Sequence, residues 1–333
     1  MKPDEAAANA LKCVLDAVPS ERLLIICDEE KLDVGEAFAR GGLKLDLWTR
    51  LLRLETSGIR KTVPPRLVEI LTSQKPDIYV NLLRGIGEET PFRIKLIHLE
   101  TRSKRARLGH CPGVTLDMLE EGALALTEEE HRRMQGFANR LIQALTGTVE
   151  VEVATEYGTS LRLNVENRPF FTDTMLDWKS MKWMNLPTGE VIVAPVENSL
   201  EGTLVCDMAI GGIGKVAKPV TVKVRNGKAE EIFSEDEEAA EKLRSVLKTD
   251  DWSSVVGEFA FGINPKARFT QEFLEAEKML GTVHVAFGNN LDMPNGRNPS
   301  KTHVDLLMSK PTVKVKKRDG STLTVLENNR FTF

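Results

Sequence analysis

The feature that most constrains this chain is a change of hydrophobic period near Gly147. Before it, apolar residues recur at helical spacing over 3–18, 65–74 and 90–104, with unbroken apolar runs at 22–28 and 77–83 between them. A short continuous apolar run is the pattern of a strand buried on both faces, and strands alternating with helices predict a parallel sheet. Thr127 and Glu130 have capping-box spacing and open one more helix. After Gly147 the residues alternate with period two at 148–153 and 161–165. Two hairpins follow, 220–224 with 229–233 around Asn226-Gly227 and 312–316 with 322–326 around Asp319-Gly320; Asn-Gly suits a type I′ turn. Helical stretches at 235–247 and 271–279 interrupt them. The pattern predicts an α/β N-terminal domain with a mostly parallel, doubly wound sheet over 1–147. An α+β, mostly antiparallel, barrel-like C-terminal domain over 148–333 follows it.

Charge and cysteine usage exclude several classes. Forty-nine acidic against forty-five basic residues leave a net charge of −4, so no basic field exists to hold nucleic acid or an anionic membrane. The longest apolar runs, such as 23–27, are far shorter than a bilayer span. The N-terminus shows no signal-peptide pattern. Cys13, Cys27, Cys111 and Cys206 lie far apart without CxxC spacing and read as reduced thiols. The expectation is a cytoplasmic protein with no nucleic-acid or membrane partner.

The chemistry concentrates in the second half. Val283 and Val285 share one face of a strand, so His284 takes the other; His303 and Asp305, two apart, leave a strand on the same face. An imidazole beside a carboxylate is half a metal site, although a lone strand His is more often a surface or supporting residue than a ligand and the Asp could pair with a Lys, so H-x-D alone is a weak signal. Glu190 enters the apolar strand 191–195 directly after a turn, and Glu258 stands between Gly257 and Phe259 in an apolar stretch. A buried carboxylate needs a partner, whereas at a strand end it needs none. The segment 289–300, rich in Asn, Pro and Gly, reads as a mobile loop beside this region. Gly211-Gly-Ile-Gly214 reads as a loop that lets backbone approach closely. Residues 102–107 form a basic run at a helix end. The Met/Trp-rich text at 175–184 reads as core packing, with a pocket wall or dimer contact as alternatives. His98 and His131, in charged helical text, read as surface residues.

Taken together, Asn185-Leu-Pro-Thr-Gly-Glu190, Gly257-Glu258, Gly281-Thr-Val-His-Val-Ala-Phe-Gly288 and His303-Val-Asp305 resemble the thermophilic metallo-aminopeptidases of the aminopeptidase T and aminopeptidase S type, in the same order over 185–306. The resemblance implies a cytosolic homodimer that removes N-terminal residues from small peptides or cleaves amide-like small molecules. It also implies that Glu190, Glu258, His284, His303 and Asp305 hold one or two divalent ions, zinc, cobalt or iron. Glu258 would then be a catalytic carboxylate that bridges the ions and accepts the proton of a water. Arg107-Leu-Gly-His110-Cys-Pro-Gly113 looks like a short branch of the same superfamily, related to 2,5-dihydroxypyridine 5,6-dioxygenase. That likeness implies an alternative function, ring cleavage of a hydroxylated pyridine by one ferrous ion on His284, His303 and Asp305, with His110 as general base. The family carries a Tyr after the His284 motif, where this chain reads Asn289-Asn-Leu-Asp-Met-Pro294; a non-catalytic binding relative is therefore a third reading. Glu277 is an approximate match to a Glu expected just before the His.

Overall fold

A computed structural model describes all of residues 1–333. The chain forms two compact units: Met1–Gln135 with Asp173–Thr188 and Lys266–Arg268, and Gly136–Thr172 with Gly189–Pro265 and Phe269–Phe333. The division falls inside the helix Glu128–Leu145, earlier than the change of period at 147, and later segments return to the first unit. No helix is long and apolar enough to cross a membrane.

The first unit is built on five parallel strands in the order Trp48–Leu54, Arg22–Asp28, Ile78–Leu83, Arg107–Pro112, Trp183–Asn185. The order runs outward both ways from the strand Arg22–Asp28, as the sequence pattern predicts. That strand and Ile78–Leu83 are buried almost throughout, which is why both read as unbroken apolar runs. The helices Pro3–Cys13, Leu32–Lys44, Pro65–Gln74 and Thr90–Glu100 connect and flank them. Two elements escape the sequence reading. Trp48–Leu54 is a half-exposed edge strand in which Arg50 and Arg53 break any apolar run. Leu32–Lys44 contains Gly41-Gly42, which mimics a loop. A Cβ on Gly41 would come 2.7 Å from the amide nitrogen of Ala8, so glycine is required there for two helices to pack. The fifth strand comes from the Met/Trp-rich text, whose residues divide: Met184 is buried, Trp183 partly so, and Met175 is exposed.

Charged groups in this unit also depart from expectation. Arg107 is not part of a solvated basic run; it is buried against Glu21 and donates to the Asp16 carbonyl at 3.0 Å. His131 is a core residue rather than a surface one. Neither of its ring nitrogens has a hydrogen-bond partner, and burial pushes its pKa down to about 4. A neutral imidazole on the inner face of the helix is an apolar filler that charged flanking text conceals. At the carboxyl end of the sheet, Arg60 bridges the buried Asp28 and Glu89 (2.7 and 2.6 Å), and Arg84 contacts both acids.

The second unit holds two antiparallel sheets. One has eight strands, ordered Lys228–Phe233, Val220–Arg225, Glu201–Cys206, Ser160–Asn164, Thr148–Ala154, Thr312–Lys317, Thr322–Glu327, Arg330–Phe331. It contains both predicted hairpins, the first turning through Asn226 and Gly227 at positive φ. The other has seven, ordered Gly214–Lys215, Ala209–Ile210, His303–Met308, Val283–Gly288, Val256–Gly262, Glu190–Val193, Phe171–Thr172. Its central strands are almost wholly buried.

Candidate metal centre

The seven-stranded sheet gathers the candidate ligands. Glu258 and Asp305 both stand opposite Ala286, His284 stands opposite Ala260 and Leu307, His303 opposite Gly288, and Glu190 opposite Gly262. With side chains alternating across a strand, these groups share one face, and the face beneath them is paved with Ala260, Gly262, Ala286 and Gly288. Such small residues leave room for the long polar side chains to converge. Glu258 reaches this face because the register slips between Val256 and Glu258. The bulge is at Gly257, where a Cβ would come 2.3 Å from the carbonyl oxygen of Gly288. Gly211 does a related service for Asp305: its amide donates to the Asp305 carbonyl at 2.8 Å, and a Cβ there would press on the carboxylate at 3.2 Å. The glycine cluster thus lets a neighbouring strand lie against the site.

Residues 289–300 are not loosely held, contrary to expectation. Asn290, Asn298 and Ser300 are buried. Asn290 Nδ2 donates to the Gly257 carbonyl at 3.0 Å, and Asn298 Nδ2 to the Val255 carbonyl at 3.0 Å. Asn290 Oδ1 accepts from the Asn298 amide at 2.7 Å. The polar composition that reads as solvated loop supplies the partners a buried, irregular backbone needs.

The geometry at the centre is that of a cation site. His284 Nε2 lies 3.2 Å from Glu258 Oε1, 3.5 Å from Glu190 Oε1 and 3.8 Å from Asp305 Oδ1. His303 Nε2 lies 3.2 Å from both Glu258 Oε2 and Asp305 Oδ1. Three overlapping triads, Glu190–Glu258–His284, Glu258–His303–Asp305 and Glu277–His284–Asp305, each bring their donor atoms within 4.8 Å of one another. All five residues singled out in the sequence therefore converge, and Glu277 joins them. Glu277 and its neighbour Lys278 sit in a turn packed on Gly262, where a Cβ would meet the Met279 carbonyl at 2.2 Å and that of Glu277 at 2.9 Å.

The donor set fits a divalent metal ion. His303 Nδ1 donates to the Asn289 carbonyl at 2.8 Å, which leaves Nε2 facing two carboxylates. A lone pair aimed at two anions is repulsive, so this atom must carry a proton or face a metal ion. Without metal the proton prevails. The crowding of neighbouring groups around His303 opposes its charge, but Asp305 and Glu258 outweigh that and hold the pKa well above the usual imidazole value. His284 is raised by Glu258 and Asp305 against the opposition of burial. Burial would push the Glu258 carboxyl up, yet its hydrogen bonds with the two imidazoles hold it below the usual carboxylate range. Glu277 goes the other way, pushed up to about 8 by burial despite Lys278. Mixed imidazole and carboxylate ligation suits zinc, cobalt, manganese or iron.

His110 belongs to the first unit, within the strand Arg107–Pro112 rather than just after it. Its Nδ1 is 2.5 Å from Asn81 Oδ1, an oxygen that also accepts from the Cys111 amide. Asn81 Nδ2 donates to Glu100 at 2.8 Å. These partners place the oxygen of Asn81 toward the ring, fix the proton on Nδ1 and leave Nε2 as an acceptor. Burial pushes its pKa down to about 3, with Arg93 adding to the effect.

Comparison with known proteins bears on the family and the fold. The profile of a family described as thermophilic metalloprotease (M29) matches residues 127–331. No curated protein matches the chain in sequence. Among solved structures, wild-type AmpT from Thermus thermophilus superposes with a TM-score of 0.71 at 16% identity, covering 100% of this chain and 99% of its own. A 2,5-dihydroxypyridine dioxygenase from Pseudomonas putida does so with a TM-score of 0.71 at 16% identity, covering 99% and 96%. At that identity the two share the fold with this chain.

Proposed function

From the premise that the chain belongs to the thermophilic metalloprotease (M29) family, we propose that it is a metal-dependent hydrolase of aminopeptidase type. It removes the N-terminal residue of small peptides or cleaves amide-like small molecules. The observation that carries the reading is His303 Nε2, set 3.2 Å from two carboxylates with its other nitrogen committed to a carbonyl. Glu258, His303 and Asp305 would hold the ion, with His284, Glu190 and Glu277 beside them. A divalent ion in such a site supplies Lewis acidity and lowers the pKa of water enough for attack at neutral pH. Glu258, kept ionised by the two imidazoles, can receive the water's proton at a carboxylate oxygen. The family match, to metalloproteases, favours a peptide over the aromatic ring handled by a dioxygenase. His110, with Nε2 held as an acceptor, is a second candidate base on the strength of its motif. The test is release of N-terminal residues from short peptides by protein loaded with zinc or cobalt, lost on chelation and restored by metal. Oxygen consumption with ferrous iron and a hydroxylated pyridine, without peptide cleavage, would replace this reading with the dioxygenase one.

A further inference from the structure

Lys278 is buried at the inner end of the acid cluster, with Nζ against Glu190 Oε2 and 2.9 Å from Glu277 Oε1. It is not a surface lysine folded inward by chance. The Asn264 amide donates to its carbonyl at 2.8 Å, and its turn lies on Gly262. Glu190 and Glu277 are the acids that distinguish the two inner triads, whereas the ion pairs of Glu258 and Asp305 run to imidazoles. We propose that the Lys278 ammonium is a built-in cation filling the inner part of this centre, so that it takes one divalent ion, on Glu258, His303 and Asp305, rather than two. The inference rests on the metal-dependent reading above.

The argument is one of charge and space. Lys278 Nζ contacts two of the four acids, Glu190 and Glu277, whereas Glu258 and Asp305 contact only imidazoles. One divalent ion on Glu258 and Asp305 therefore gives each pair of acids a cation of its own. A second ion would set a dication on the same Glu190 carboxylate that Lys278 holds. Like charges a few ångströms apart in a water-poor pocket repel strongly. The outer triad has no competing ammonium, and His303 keeps 32% of its side chain open to solvent, which gives an ion a route in.

The measurement is the metal-to-protein ratio after chelator-stripped protein is incubated with excess zinc chloride and passed through a desalting column. The wild type should hold one zinc per chain, Lys278→Met two, and Lys278→Arg one. Two zinc ions in the wild type, or one in Lys278→Met, would overturn the inference while leaving the hydrolase reading intact. No zinc in the wild type would overturn both. Should Lys278→Met not fold, the wild-type ratio and the position of zinc by anomalous diffraction decide alone: one ion at Glu258, His303 and Asp305 supports the inference, and an ion between Glu190 and His284 overturns it.

Discussion

His303 Nε2 and Glu258 Oε2 lie 3.2 Å apart although their strands are not neighbours; the strand Val283–Gly288 runs between them. The two side chains meet over Ala286 and Gly288, residues too small to keep them apart. Removing His303 should therefore take away a ligand and unbalance the two acids it faces. His303→Ala is expected to weaken zinc binding by more than the roughly 100-fold that loss of a supporting contact costs. Titration calorimetry on stripped protein checks this, and unchanged affinity would remove His303 from the site.

Proton release gives a second test. Because Asp305 and Glu258 raise the His303 pKa well above 6.5, the metal-free imidazole is charged at neutral pH, and an incoming ion must displace its proton. Zinc affinity should fall as pH is lowered from 8 to 6, with about one proton released per ion at pH 7. Calorimetry in two buffers of different ionisation enthalpy measures that number. In the metal-free protein this raised pKa stabilises the fold below pH 6.5, and the contribution is lost as pH rises through the folded value.

Gly257 tests how the acid reaches the site. A methyl group there would press on the Gly288 carbonyl at 2.3 Å, so Gly257→Ala should destabilise the protein by about 1–3 kcal/mol. It should also lower zinc affinity by re-aiming Glu258. Thermal melts and zinc titration read the two effects separately; a stable variant with full affinity would show that the bulge is incidental.

The charge network of the first unit predicts acid behaviour. Burial raises the Glu89 carboxyl, but hydrogen bonds from Arg60 and Arg84 outweigh it and bring its pKa down from 4.5 to about 2. A depressed carboxyl stabilises the fold above its unfolded pKa, so this contribution is complete above pH 4.5 and fades as pH falls toward 2. The shift corresponds to about 3 kcal/mol. Melting temperatures of wild type and Glu89→Gln should converge across that window; a constant gap would contradict the assignment.

For His110, the prediction is a ring that stays neutral with the proton on Nδ1 down to a pKa of about 3. Nitrogen-15 chemical shifts of the labelled imidazole would report this directly. His110→Ala should keep its zinc and lose turnover, whereas wild-type turnover would leave His110 a structural residue.

Most of the fold was legible because period and burial coincide: Leu23–Cys27 and Val80–Leu83 lie inside a two-sided core and read as apolar runs, and Asn226-Gly227 turns a hairpin. The edge strand at Trp48 and the helix containing Gly41-Gly42 were not, because exposure and close packing each break the apolar pattern. Four of the converging side chains were readable from short strand motifs centred on Glu258, His284, His303 and Asp305, and Glu190 from its entry into an apolar strand. Glu277 was legible only as an approximate family match and Lys278 was hidden, since an acid and a lysine at a helix end look solvated until the turn folds over Gly262. His131 was hidden as a neutral filler in charged helical text, and residues 289–300 because their polarity satisfies buried backbone instead of facing water.

The central claim is that these side chains form one cation-binding centre. Anomalous diffraction from a crystal loaded with zinc tests it most directly. The account predicts a peak about 2.0–2.2 Å from donor atoms of Glu258, His303 and Asp305. Zinc bound elsewhere, with those three side chains uncoordinated, would contradict it.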